Sequence, residues 1–230
     1  MKFTRVFLNR LQGDTTPRDT VVVIDVLRSF TSAAIALARG ARAIFPVESV
    51  AGAAALAGRM ENSISVGAIG GGDPVPGFDF GNSPSRLATA ALSGRDVVLT
   101  TAAGVRGLQR YAGARHLFAA SLVCARATAT AIRAAKAREV CFVITGEWVD
   151  RDGDEDIACA DYIEALLKSE ATDVGHIARR VRDSDFGRRF GAAEWPNLPL
   201  ADLDLATEVD RFDFAMPVQR EAGQLVIRGA

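Results

Sequence analysis

The sequence predicts an α/β fold: two similar three-layer α/β/α lobes with largely parallel or mixed sheets. Three observations carry this. Short β-branched runs alternate with alanine-rich stretches of helical length. The runs are apolar without alternation, as expected of strands buried on both faces of a parallel sheet. The order then repeats: GARHLFAAS from Gly113 echoes GARAIFPVES from Gly40, about 73 residues earlier. Either an internal duplication or similar β-α spacing alone could produce that echo.

In chain order, residues 21–24 form the first strand. Thr31 or Ser32 caps the helix that follows, and Gly40 ends it. A strand over 43–47, a helix over 50–60 and a third strand in ISVGAIGGG complete the first unit. The polar loop GGGDPVPGFDFGNSPS then leads into a helix near Pro84, with Asn82 or Ser83 as its cap. The second unit has a strand in DVVLTT, a helix over 104–111, a strand in GARHLFAAS, a helix over 124–137 and a strand in EVCFVITGE. The loop GEWVDRDGDED and a helix over 157–168 follow. These units define lobes 1–94 and 95–230, the second with a C-terminal helical extension. That extension has a helix within 172–191, another in ADLDLATEVDRFD and a final edge strand in AGQLVIRGA, after a break at Pro217. No long linker separates the lobes, so they are expected to pack as one unit.

Composition narrows the function. The chain has 230 residues, 49% of them apolar, and a formal net charge of −1. It carries no basic footprint for nucleic acid and no apolar run of the ~20 residues a membrane helix needs. The N-terminus, with Arg5 and Arg10, does not read as a signal peptide. Cys124, Cys141 and Cys159 form no CxxC pair, against both a disulfide framework and a structural zinc site. A reducing, cytoplasmic setting is expected, and a homodimer is a common state for an α/β enzyme of this size. His116 and His176 stand apart, against a Ser-His-Asp triad. No GxSxG elbow, GxxxxGK[ST] loop or Cys-x₅-Arg phosphate loop occurs.

In α/β sheets ligands bind beyond the carboxyl ends of the strands. There the sequence places Asp25, Arg28, Ser29 and Thr31; Gly70 to Asp73, including Gly71; Thr100 and Thr101; Ser121; and Glu147 with Asp150 to Asp156. Glycine turns and helix N-termini suit an anion. Carboxylates at the same mouth suit Mg²⁺. Each residue also has a plainer reading. Asp25 can cap a helix, Arg28 can make a surface ion pair, the acidic run can be a solvated loop, and Thr100 and Thr101 can close a strand. Their convergence at successive strand ends favours a site.

The strings VVVIDVLRSFTSAAIALARGA, PGFDFGNSPS, VVLTTAAGVRGL, DEDIACAD and SDFGRR, in this order and spacing, resemble the 2-phosphosulfolactate phosphatase family over about residues 20–215. The resemblance implies a two-lobed α/β/α fold. It also implies a Mg²⁺-dependent phosphatase acting on a small phosphorylated or sulfonated acid, in the branch that makes sulfolactate for coenzyme M. The family motifs map onto Asp25, Arg28, Asp79, Asn82, Ser83, Thr100, Thr101, Gly104, Glu147, Asp156 and Cys159. We expect Mg²⁺ to be held by Asp25 with Glu147 or Asp156, and Asp25, Arg28, Glu147 and Cys159 to act as catalytic groups. Substrate is expected at Ser29, Thr31, Gly70, Gly71, Asn82, Ser83, Thr100, Thr101 and Gly104. Cys159 could have a lowered pKa near a helix start, or could be a small buried helix residue.

The chain also departs from the family pattern. Gly67-Ala68-Ile69-Gly70-Gly71 stands where the family has Gly-Glu-Arg-Gly-Gly, and Thr101-Ala102-Ala103-Gly104-Val105 where it has Thr-Thr-Asn-Gly-Thr. Such losses imply an intact scaffold with an altered pocket. The alternative to a phosphatase is therefore a catalytically altered or silent member that binds a small acidic metabolite.

Overall fold

A computed structural model describes residues 1–10, 18–69 and 72–230. Its described strands are β1 (Lys2–Phe7), β2 (Thr20–Ile24), β3 (Ala43–Pro46), β4 (Ser63–Ile69), β5 (Asp73–Pro74), β6 (Asp96–Thr100), β7 (His116–Ala120), β8 (Glu139–Ile144), β9 (Met216–Glu221) and β10 (Gln224–Ile227). They form one mostly parallel sheet in the order β1-β8-β2-β7-β9-β10-β3-β6-β4-β5. The helices are α1 (Ser29–Ala38), α2 (Val50–Ala57), α3 (Pro84–Leu87), α4 (Gly104–Arg110), α5 (Ala125–Ala134), α6 (Asp154–Lys168), α7 (Val174–Asp183) and α8 (Leu200–Ala206). No described helix is long and apolar enough to cross a membrane.

The α/β class stands, but the two halves of the sheet are not residues 1–94 and 95–230. In one half, β2 lies between β8 and β7, parallel to both. In the other, β6 lies between β3 and β4, again parallel to both. Each half therefore takes its central strand from the opposite repeat unit. A central strand needs partners on both edges, and here the other unit's second and third strands supply them.

The hairpin β9–β10 joins the halves. β9 pairs antiparallel with β7, and β10 pairs antiparallel with β3. The last strand is thus interior to the sheet and not an edge strand. Pro217, expected to break the chain, is the second residue of β9, opposite Phe118. The β7–β9 ladder spans only two residue pairs, so a residue that donates no N–H is tolerated there.

Burial explains the uninterrupted apolar runs. In β2, Val21 and Val23 face an inner core that also contains Val97 and Leu99 of β6, Ile64 and Val66 of β4, and residues of α1 and α4. Val22 and Ile24 face an outer core with Phe142, Ile132 and Ile163. Each such side chain contributes roughly 1.5–3 kcal/mol when fully buried. The inner core holds the ends of β2 and β6 close together, and Gly107 permits the approach. A Cβ there would stand 2.6 Å from Cγ1 of Val23.

Candidate active site

The loops after β2 and β6 meet at Asp25. Its Oδ1 accepts the Ser29 backbone N–H at 2.9 Å. Its Oδ2 accepts the Ser29 hydroxyl at 2.6 Å and the Gly104 N–H at 2.9 Å. The Ser29 and Thr101 hydroxyl oxygens lie 3.0 Å apart. Asp25, rather than Thr31 or Ser32, thus serves the start of α1, because its side chain reaches the first helical N–H. Gly104 is required by contact, since a Cβ there would lie 2.7 Å from Asp25 Oδ2.

Arg28 is buried beside Asp25. It donates to Asp202 Oδ2 at 2.8 Å, to the Asn197 carbonyl at 2.9 Å and to the Gly72 carbonyl at 3.0 Å. Its guanidinium lies over the Phe190 ring, 5.9 Å from the centroid. Asp202 also accepts from the hydroxyls of Ser83 and Ser85 and from the Ser85 N–H at the start of α3. Ser83 therefore precedes α3 as expected, but its hydroxyl is spent on Asp202 and not on the helix.

Asp25, Arg28, Ser29, Asn82 and Thr101 line one cavity of about 100 Å³, together with Arg151 and Phe186. Oδ1 of Asn82 is buried there with no hydrogen-bond partner. Its walls include Ala68, Ile69, Ala102 and Ala103, four apolar residues. A wider cleft of about 570 Å³ shares Ala102, Ala103 and Arg151, and adds Arg106, Trp148, Trp195 and Arg189. Arg189 bonds Asp150 at 2.8 Å. That bond, before any other cause, holds the Asp150 carboxyl below its usual range. Arg151 has Asp150 only at 3.8 Å, and Arg106 donates to Asn9. The two sites together carry more cation than carboxylate, which favours an anionic ligand.

Other expected site residues lie elsewhere. Thr31 is fully buried, donating to the Val26 carbonyl and paired with Ser121. Thr100 is buried with its methyl against Gly67. Asp79 accepts from the hydroxyl and N–H of Ser65, and the hydroxyl bond first of all lowers its pKa. Glu147 turns to Arg10, 2.7 Å away. Cys159 sits in the outer core, where burial pushes its thiol well above the ordinary range. A buried, protonated thiol is no nucleophile. Gly70 and Gly71 lie outside the described residues.

The expected metal set does not converge. Asp156 accepts the N–H groups of Val26, Thr145 and Gly146 and the Thr145 hydroxyl, so it staples the ends of β2 and β8. Burial, with Glu155 and Asp25 nearby, pushes its pKa up, against the lowering effect of the backbone N–H groups it accepts. No group of three or more His, Cys, Asp or Glu among the described residues could hold a metal. Asp25 is the carboxylate on the cavity. Three of its roughly four lone-pair sites are used, which leaves room for one bond to a cation.

Sequence reasoning missed Asp202, and it took Arg151 only as part of the acidic run 150–156. Asp202 could have been found from its phase, since it shares a helical face with buried Ala206. Arg151 comes from a turn closed by paired backbone bonds between Trp148 and Arg151, and no local pattern marks it.

The profile of the 2-phosphosulpholactate phosphatase family matches residues 7–191. A Carboxydothermus hydrogenoformans protein named "Probable 2-phosphosulfolactate phosphatase" is 33% identical, covering 91% of this chain and 90% of its own. Proteins of the same name from Gloeobacter violaceus and Bacillus subtilis are 34% and 28% identical. The first alignment covers 90% of this chain and 91% of the relative, and the second 89% of each. The chain therefore belongs to the 2-phosphosulfolactate phosphatase family.

Proposed function

We propose that this chain is a phosphoric monoester hydrolase that releases phosphate from 2-phosphosulfolactate or a related phosphorylated hydroxy acid. One observation carries the reading: the Asp25–Ser29–Thr101–Gly104 cluster, built from both sheet halves, opens into the same cavity as Arg28 and Arg151. The family name and the relatives supply the reaction class.

Phosphoryl transfer from a monoester passes through a loose transition state, so positioning and charge stabilisation dominate. Arg151 supplies charge to the phosphoryl oxygens. Arg28, held rigid by Asp202, fixes the cavity wall and adds positive charge to it. Asn82 offers its amide, and the Ser29 and Thr101 hydroxyls orient the attacking water. Mg²⁺, held by Asp25 and by oxygens of the substrate, would neutralise charge on the phosphoryl group. The setting proposed is cytoplasmic, with the product feeding the coenzyme M branch, and a homodimer is the proposed assembly.

Phosphate release from 2-phosphosulfolactate, with Mg²⁺ and with chelator, tests the reading. Metal-dependent release is expected. Binding without release would favour the silent-member alternative, for which the four apolar wall residues speak.

A further inference from the structure

The chain has two tryptophans, and both line the cleft beside the Asp25 cavity. Trp148 is 49% exposed and Trp195 38%, while Val149, which lines the same cleft, is 96% exposed. Large apolar side chains gathered at one mouth are informative in a way that scattered ones are not. Cavity and cleft share Ala102, Ala103 and Arg151. At about 570 Å³ the cleft falls in the size range of pockets for ligands much larger than a three-carbon acid. Such an acid would leave both indoles against water.

The indole of Trp195 is already stacked under the Arg189 guanidinium at 4.9 Å, and Arg189 is fixed by Asp150. Its ring plane is therefore pre-set, as a flat recognition wall needs to be. Arg106 lies in the same cleft, bonded to the Asn9 amide and to no carboxylate among the described residues. It suits the acid group of a ligand.

Resting on the phosphatase reading, we propose that the substrate is the phosphate monoester of a hydroxy acid bearing an aromatic or bulky apolar group. The phosphate occupies the Asp25 cavity, the carboxylate meets Arg106, and the apolar group lies against Trp148, Val149 and Trp195.

Because these are the chain's two tryptophans, intrinsic fluorescence reports cleft occupancy without turnover. The full chain is titrated with the phosphate esters of 3-phenyllactate, lactate and sulfolactate at fixed ionic strength, and phosphate release is followed in parallel. The phenyl ester is expected to bind at least about tenfold more tightly than the lactate ester. Trp148→Ala should lower that ratio several-fold. Val149→Ser, at a position too exposed for packing to suffer, should lower it in the same direction. Equal affinities, or a preference for the sulfonated ester, overturn the proposal. If the lactate and sulfolactate esters are hydrolysed without any phenyl preference, the phosphatase reading survives and this inference fails. Tight, Trp148-dependent binding of the phenyl ester with no release from any ester keeps the subsite and removes the phosphatase reading. No binding of any ester overturns both.

Discussion

Oδ2 of Asp25 receives the Ser29 hydroxyl from its own loop and the Gly104 N–H from across the molecule. In the proposed mechanism a catalytic role is added to the structural one that these bonds give this carboxylate, so site residue and helix cap are not exclusive readings. Asp202 is different: it reaches the cavity only through Arg28. Asp202→Asn leaves the Arg28 guanidinium buried without its counter-charge. Breaking one side of a buried pair costs roughly 3–5 kcal/mol, so thermal melts should show Tm falling by about 10 °C or more. A melt within about 2 °C of the parent would contradict the clamp. At Arg151 the opposite split is expected. Its side chain packs over Phe186 at 4.9 Å and makes no close ion pair among the described residues. Arg151→Ala should therefore raise KM at least about tenfold for the phosphate ester, with little change in Tm. Steady-state kinetics beside a melt would check both halves of that statement.

At the scale of elements, the strands buried on both faces were legible because such burial writes itself as an unbroken apolar run, whereas β1 and β9, which carry exposed residues, were not. Val21 to Ile24 and Val140 to Ile144 are such runs. Helix α6 was expected from residue 157 but begins at Asp154. Its first turn, Asp154-Glu155-Asp156, read as solvated loop because three successive acids seldom enter a core. Two of them do so here for separate reasons. Asp156 staples two strand ends, whereas Glu155 has one oxygen without a partner, and burial raises its pKa to about 7. A carboxyl raised from its unfolded value of 4.5 stabilises the fold in its protonated form. That stabilisation is complete below about 4.5 and is lost as pH rises through about 7. The amount is on the order of 3 kcal/mol. Denaturant melts between pH 4.5 and 8 should show this decline, and Glu155→Gln should flatten it. A decline unchanged in the variant would assign it to another group. The site's polar clamps were not legible in this way, since Asp202 and Arg151 act across the fold and no neighbouring residue signals their partners.

For the molecule as a whole, the exchange of central strands ties the two repeat units together. The spacing of about 73 residues suggested separate lobes because sequence order reveals each unit's content but not which half receives its first strand. β6 completes the half that contains β3 and β4. A fragment of residues 1–94 therefore lacks the strand on which its sheet closes, and it should show no cooperative thermal transition by circular dichroism. A folded 1–94 fragment would contradict the exchange. The same exchange explains where the candidate site lies. Ser29 and Thr101 can touch only because the first strands of both units end at the same place. The most direct measurement compares phosphate release from 2-phosphosulfolactate by the parent chain and by Asp25→Asn, each with Mg²⁺. The parent should release phosphate, and Asp25→Asn should be slower by at least about a hundredfold while still folded. Equal rates in the two proteins would place the chemistry outside the cavity at Asp25.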